Sequence, residues 1–269
     1  AKLVPLLLFV GIGLFAIDPG RLAPAAPVDP SAFGQAMILS LFAFSGMETV
    51  LGASGEIARP ERTVPRALGI AMAAVLLIYL LVQAVAQGLL GAGLAGSREP
   101  LADALAQVSP ALVPVIAIGA ALSRGGWLFS DAFGAPRLPF AFARDGFLPA
   151  RLGTLNRAGA PAAAILLHMG LSTVLALLGE FGPLVLLSGL FIVPIYVGAC
   201  LASVKLRRDD VALAGPPARM PGLVPAAVIG LSAMAAMILL AGRTEQAGLG
   251  AALLLSAALY GLRRVRLPV

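Results

Sequence analysis

Thirty consecutive residues, 67–96, carry no charge. In water a run of that length has to be buried whole. In a bilayer it is the natural size of a span, because about 20 mostly apolar residues, each rising about 1.5 Å, cross a hydrocarbon core of about 30 Å. Residues 104–123, 181–204 and 220–242 are equally free of charge, and 158–179 holds only His168. Hydrophobic residues make up 59% of the 269-residue chain and charged residues 12%, where soluble domains carry about 25% charged residues. A compact fold of this size in water would keep a largely apolar surface. That excludes a soluble enzyme, a disordered tail and a nucleic-acid binder, and makes the lipid bilayer the first partner.

Further spans are shorter or interrupted. Residues 3–17 form a short apolar run, 31–55 are broken by Glu48, and 246–262 are followed at once by basic residues. The reading is an all-α polytopic membrane protein with about eight transmembrane helices, near 3–17, 33–54, 67–90, 111–135, 161–179, 182–203, 223–241 and 246–262. A β-barrel is excluded, since these are continuous apolar runs and not ten-residue alternations. The 31 glycines suit close helix contacts, where small side chains let backbones approach.

Basic residues alternate between the connections. Lys2, then Arg59, Arg62 and Arg66, then Arg137, Arg144, Arg151 and Arg157, then Lys205, Arg207, Arg208 and Arg219, and finally Arg263, Arg264 and Arg266 fall on one side. Only Arg21, Arg98 and Arg243 fall on the other. The positive-inside rule makes the first side, with the C-terminus, cytoplasmic, and the expected location is the plasma (inner) membrane. Cys200 and His168 are single residues of their kind, too few for a disulfide framework, a zinc cage or an iron–sulfur site, so no cofactor is expected. The chain begins with Ala1 and shows no signal-peptide pattern, and it reads as starting within a longer protein.

Two segments place chemistry inside the membrane. FAFSGMETV, residues 42–50, sets Ser45-Gly46 and Glu48 near membrane depth. Glycine weakens a helix, and an ionised acid there costs about 2.5–3.5 kcal/mol unless it faces a cavity, a partner or a proton. A break at Ser45-Gly46 frees backbone groups to grip a ligand; the bland alternative makes Gly46 a packing contact and Glu48 a structural hydrogen bonder. SRGGWLFSDAFGAP, residues 123–136, carries Arg124, Trp127 and Asp131 at offsets of three and seven, which puts them on one helical face. Pairing of Arg124 with Asp131 or Glu48 lowers the cost of each charge, and a charged stripe with the chain's only tryptophan reads as a cavity wall. Trp127 as an interfacial belt residue is the alternative. Gly52-Ala53-Ser54-Gly55 has the spacing of an intramembrane serine protease motif with His168 as a base, but so short a match arises by chance in a Gly- and Ala-rich chain.

FAFSGMETV followed by GEIARPERTVPRA (55–67), with ARDGFLP (143–149) further on, resembles the amino acid/polyamine/organocation permease superfamily from end to end. The resemblance implies a leucine-transporter-type fold of two inverted five-helix repeats. The eight spans would be the family's fifth to twelfth helices, with the first four missing. Residues 1–32 would hold the fifth helix and an external loop, 33–204 the second repeat, and 205–269 a cytoplasmic loop and two C-terminal helices. It implies that Phe42, at a gating position, Phe44, and Ser45 and Gly46, in the unwound segment, bind substrate, and that Glu48 serves coupling or gating. SRGGW is similar to SLGGW of the arginine/agmatine antiporter branch, which maps closure over substrate onto Trp127. Arg124 stands where that branch has leucine, and with Asp131 joins Glu48 as a coupling or gating candidate. The implied function is secondary active, alternating-access transport of amino acids or related amines, coupled to protons as symport or exchange. A helical membrane subunit without transport is the alternative class.

Overall fold

A computed structural model of the chain describes residues 3–23, 29–47, 57–211 and 220–266, with side chains described as far as residue 261. All regular secondary structure among these residues is helical. The α-helices are α1 (Leu3–Gly13), α2 (Pro30–Phe44), α3 (Pro60–Leu90), α4 (Pro100–Val108), α5 (Val113–Gly134), α6 (Arg137–Arg144), α7 (Ala162–Leu178), α8 (Phe181–Arg208), α9 (Leu223–Leu240) and α10 (Arg243–Arg266). Each expected span overlaps one of them, the second (33–54) only as far as Phe44, with its residues 48–54 outside the described ones; α4 and α6 are short helices in the connections. Among the described residues, Pro60–Gly96, Pro110–Arg144, Phe181–Arg208 and Leu223–Leu240 are long and apolar enough to cross a bilayer, while α1, α2 and α7 are apolar but shorter.

The helix ends follow local chemistry. α2 starts on Asp29, whose carboxylate accepts the Ala32 N–H at 2.9 Å, with Pro30 as first residue. α3 begins seven residues before the apolar run, because Pro60 and Glu61 make a favourable first turn. α8 runs past its apolar stretch through Lys205, Arg207 and Arg208, cations that complement the negative end of the helix dipole.

The chain folds as two compact units: residues 1–28 with 66–133, and residues 29–65 with 134–269. The first is centred on Phe9, Val85, Ala104 and Leu105, all fully buried. Close approach is bought with glycine, since a Cβ on Gly13 would strike Val85 and one on Gly119 would strike Pro5. The turn after α1 is tied to the end of α3: the Asp18 N–H donates to Gly88 O at 3.1 Å, Gln87 Nε2 donates to Arg21 O at 3.0 Å, and Arg21 Nη1 donates to Leu89 O. Arg21 also pairs with Asp18 at 3.5 Å.

The second unit is centred on Ile38, Leu190 and Val193, with Met237, Ala241 and Leu249. Here α2 lies directly on α8 and α9. A Cβ on Gly34 would come within 2.6 Å of Leu240 O, and one on Gly189 within 2.9 Å of Ile38 O. No polar or charged side chain among the described residues is buried, whereas Leu178 and Phe181 are each 84% exposed. That inversion of the soluble pattern is what a lipid-facing surface requires.

Candidate functional site

Helix α2 stops at Phe44, after 15 residues. That length rises about 22 Å, short of a hydrocarbon core of about 30 Å. The stop is local in origin. Ser45 turns to extended backbone (φ −70°, ψ 157°), and its N–H donates back to Phe42 O at 3.1 Å while its hydroxyl donates to the same oxygen at 2.7 Å. Gly46 then takes φ +105°, a region that L side chains rarely adopt. A Cβ placed on Gly46 would meet nothing within 4 Å, so backbone conformation, not packing, is the reason for glycine there. Phe42, one turn back, is 38% exposed and its Cβ lies beside Gly189 of α8. Phe42, Phe44, Ser45 and Gly46 are thus gathered at one helix end. Glu48 and Ser54 lie outside the described residues.

Arg124, Trp127 and Asp131 sit on the unbroken helix α5, so the offsets of three and seven do place them along one face. Trp127 is 59% exposed, Arg124 is exposed and Asp131 half-buried. Gly125 and Gly126, between them, would each accept a Cβ with nothing within 4 Å, so this stretch of α5 presents an open surface. These three residues belong to the first compact unit and the α2 terminus to the second. His168 is half-buried on α7.

The ARDGFLP stretch also acquires a physical role. α6 ends at Arg144, and Gly146 adopts φ +78°. The Phe147 N–H donates to Phe142 O at 2.7 Å and the Gly146 N–H to Ala143 O at 3.1 Å, the paired bonds of a Schellman cap. Phe142 and Phe147 close it edge to face, ring centroids 6.0 Å apart, and Phe147 stacks on Tyr260 of α10 at 6.4 Å. It is a rigid connector, and the tertiary partner Tyr260 was not visible in the motif itself.

Sequence reasoning missed Gly34 and Gly189, which set how closely α2 approaches α9 and α8. The available signal was glycine inside apolar helices, shared with many other positions.

A family model described as amino acid permease matches residues 1–261. An uncharacterized transporter of Mycobacterium tuberculosis is 32% identical over 259 residues, 94% of this chain and 56% of that protein. The branched-chain amino acid permease BcaP of Bacillus subtilis is 27% identical over 157 residues, 58% of this chain and 34% of its own. The methylthioribose transporter of the same organism is 27% identical over 149 residues, 55% of this chain and 32% of its own. The chain spans about half the length, or less, of the curated relatives it matches.

Proposed function

The chain belongs to the amino acid permease family, and from that premise we propose that it forms part of a secondary transporter that moves amino acids or related amines by alternating access, coupled to protons. It is a multi-pass helical membrane protein of a transporter family. The observation that carries the finer reading is the end of α2, where a helix too short to cross the bilayer stops on Ser45 and a left-handed Gly46. Irregular backbone at membrane depth is tolerated where it lines a cavity or is covered by protein, and half-helix ends are the parts that hold a substrate's charged groups. In this reading Phe42 and Phe44 flank the substrate and Trp127 closes over it. Glu48 exchanges the coupling proton, and Arg124 and Asp131 also serve coupling or gating. Residues 33–204 form the second of two repeats, the basic connections and the C-terminus lie in the cytoplasm, and the membrane is the plasma membrane.

Relatives named for a branched-chain amino acid permease and for a methylthioribose transporter share the same 27% identity, so the substrate trial includes both chemistries. The test is uptake of labelled compounds by proteoliposomes holding the complete transporter, at a series of pH values. Saturable amino acid uptake driven by an inward proton gradient is expected, and Glu48→Gln is expected to flatten its pH dependence. Normal expression, normal rate and an unchanged pH profile in Glu48→Gln would remove the proton assignment. No uptake of any amino acid or thioribose derivative would favour a non-transporting subunit. Two repeats supply the two walls of an alternating-access site, so residues 1–269 alone are expected to insert without transporting; robust saturable uptake by them refutes that. Orientation is read by cysteine labelling in a Cys200→Ala background, where Arg144→Cys should resist an impermeant external reagent. A serine-directed probe should leave Ser54 unlabelled.

A further inference from the structure

A crevice of about 480 Å³ opens between the last two turns of α8 and the first turns of α9. On α8 it is lined by Leu201, Val204, Lys205 and Arg208, spaced by three, four and seven positions and therefore on one helical face. That face is apolar over its first turn and cationic over its last. Val228 of α9 forms the opposite wall, and it and Leu201 are each 56% exposed. At the deep end α9 closes on α8, where a Cβ on Gly230 would lie 3.4 Å from Cys200 Sγ.

The level of the crevice follows from helix length. The 28 residues of α8 rise about 42 Å, more than a hydrocarbon core of about 30 Å, and the charge-free stretch ends at Val204. Lys205 and Arg208 therefore stand at headgroup level, with Leu201 and Val204 beside acyl chains. Asp209 also lines the crevice, so its ionised side chains sum to one positive charge. Arg207, on the same turn, is engaged elsewhere: its Nη1 donates to Met220 O at 2.7 Å and holds the chain leading into α9. α9 starts on Gly222 with no capping side chain, which leaves the positive end of its dipole at the same level.

We propose that this crevice binds one anionic phospholipid, its phosphate held by Lys205 and Arg208 and an acyl chain laid against Leu201, Val204 and Val228. Free phosphate would leave the apolar part of the groove without a partner, whereas a lipid satisfies both parts at once. The function proposed for the α2 terminus is not needed for this, since none of its residues takes part.

The test is native mass spectrometry of the full chain released from mixed micelles of phosphatidylglycerol, phosphatidylethanolamine and phosphatidylcholine. One phosphatidylglycerol should be retained in preference to the other two. Lys205→Gln with Arg208→Gln, both at exposed positions, should weaken its retention roughly 30-fold, from about 1 kcal/mol per cation at the membrane surface. Arg144→Gln with Arg151→Gln, equal in charge removed, should leave the preference intact. Equal retention of the three lipids would overturn the proposal, as would a preference that survives the first pair of substitutions or is lost equally with the second. Displacement of the lipid by millimolar inorganic phosphate would overturn it too, in favour of a small-anion site. Val228→Trp, which fills the groove without touching charge, should lower retention of phosphatidylglycerol; unchanged retention in a folded variant would place the lipid elsewhere.

Discussion

Helices α2 and α6 end on six-residue stretches that share Phe-Ala at the start and Gly at the fifth place, Phe-Ala-Phe-Ser-Gly-Met at 42–47 and Phe-Ala-Arg-Asp-Gly-Phe at 142–147, and they end differently. In both, glycine at the fifth place takes positive φ, +105° at Gly46 and +78° at Gly146. At α6 the sixth residue, Phe147, donates its N–H to Phe142 O at 2.7 Å and folds its ring back on Phe142, so the helix end is capped and stapled. At α2 the carbonyl of Phe42 is taken by Ser45, once through the backbone and once through the hydroxyl, and a Cβ on Gly46 would have no neighbour within 4 Å. One glycine completes a connector of the fold. The other ends an apolar helix with no ring or packing contact to hold its glycine, so that conformation alone selects glycine there.

That contrast can be broken most directly at Gly46. Gly46→Ala forces a side chain into a conformation costing about 1–3 kcal/mol, at the point where the proposed substrate segment must keep its shape. Uptake by the complete transporter should fall by about tenfold or more, at about 1.4 kcal/mol per factor of ten, with membrane insertion unchanged; uptake at the wild-type rate would erase the distinction between the two ends. Phe147→Ala removes the edge contact with Phe142 and the stack on Tyr260. With each aromatic pair contributing about 0.5–1.5 kcal/mol beyond its buried area, the thermal unfolding midpoint in detergent should drop, while uptake at low temperature persists. Gly146→Ala should cost about 1–2 kcal/mol in the same assay, again with transport retained; if it abolished uptake with stability intact, α6 would be part of the transport machinery. Ser45→Ala should be the mildest. It deletes the hydroxyl bond to Phe42 O and keeps the backbone one, about 0.5–1.5 kcal/mol measured as a small shift in midpoint.

Much of the candidate site was legible because its signals are local. A glycine beside a serine in an apolar run permits a break without requiring one: Ser45 and Gly46 end α2, while Ser188 and Gly189 lie inside α8. The shared face of Arg124, Trp127 and Asp131 follows from helix period alone. Helix bounds were less legible: the spans were expected from apolar residues, while α3, α8 and α10 continue into charged turns that hydropathy does not count. The small helix α4 was not foreseen at all. Its Ala104 and Leu105 are fully buried, yet nothing local distinguishes them from the apolar residues that follow.

The sequence by itself determined that this is an all-helical membrane protein and which stretches form its apolar helices. Transfer into lipid, internal satisfaction of backbone hydrogen bonds and the conformational freedom of glycine are properties of each segment, independent of its neighbours. Only the tertiary structure decided which glycines are contacts. Gly34 and Gly189 admit Leu240 and Ile38 so closely that a methyl group would collide with backbone, whereas Gly125 and Gly126 have nothing within 4 Å. In the sequence all four are glycines in apolar helices. Between helices in lipid, association rests on van der Waals fit between surfaces far apart in the chain, and that fit exists only once the partner is in place. The crevice beside Lys205 and Arg208 belongs to the same class: the cations were read as topology markers, and the groove beneath them appears only when α9 stands against α8.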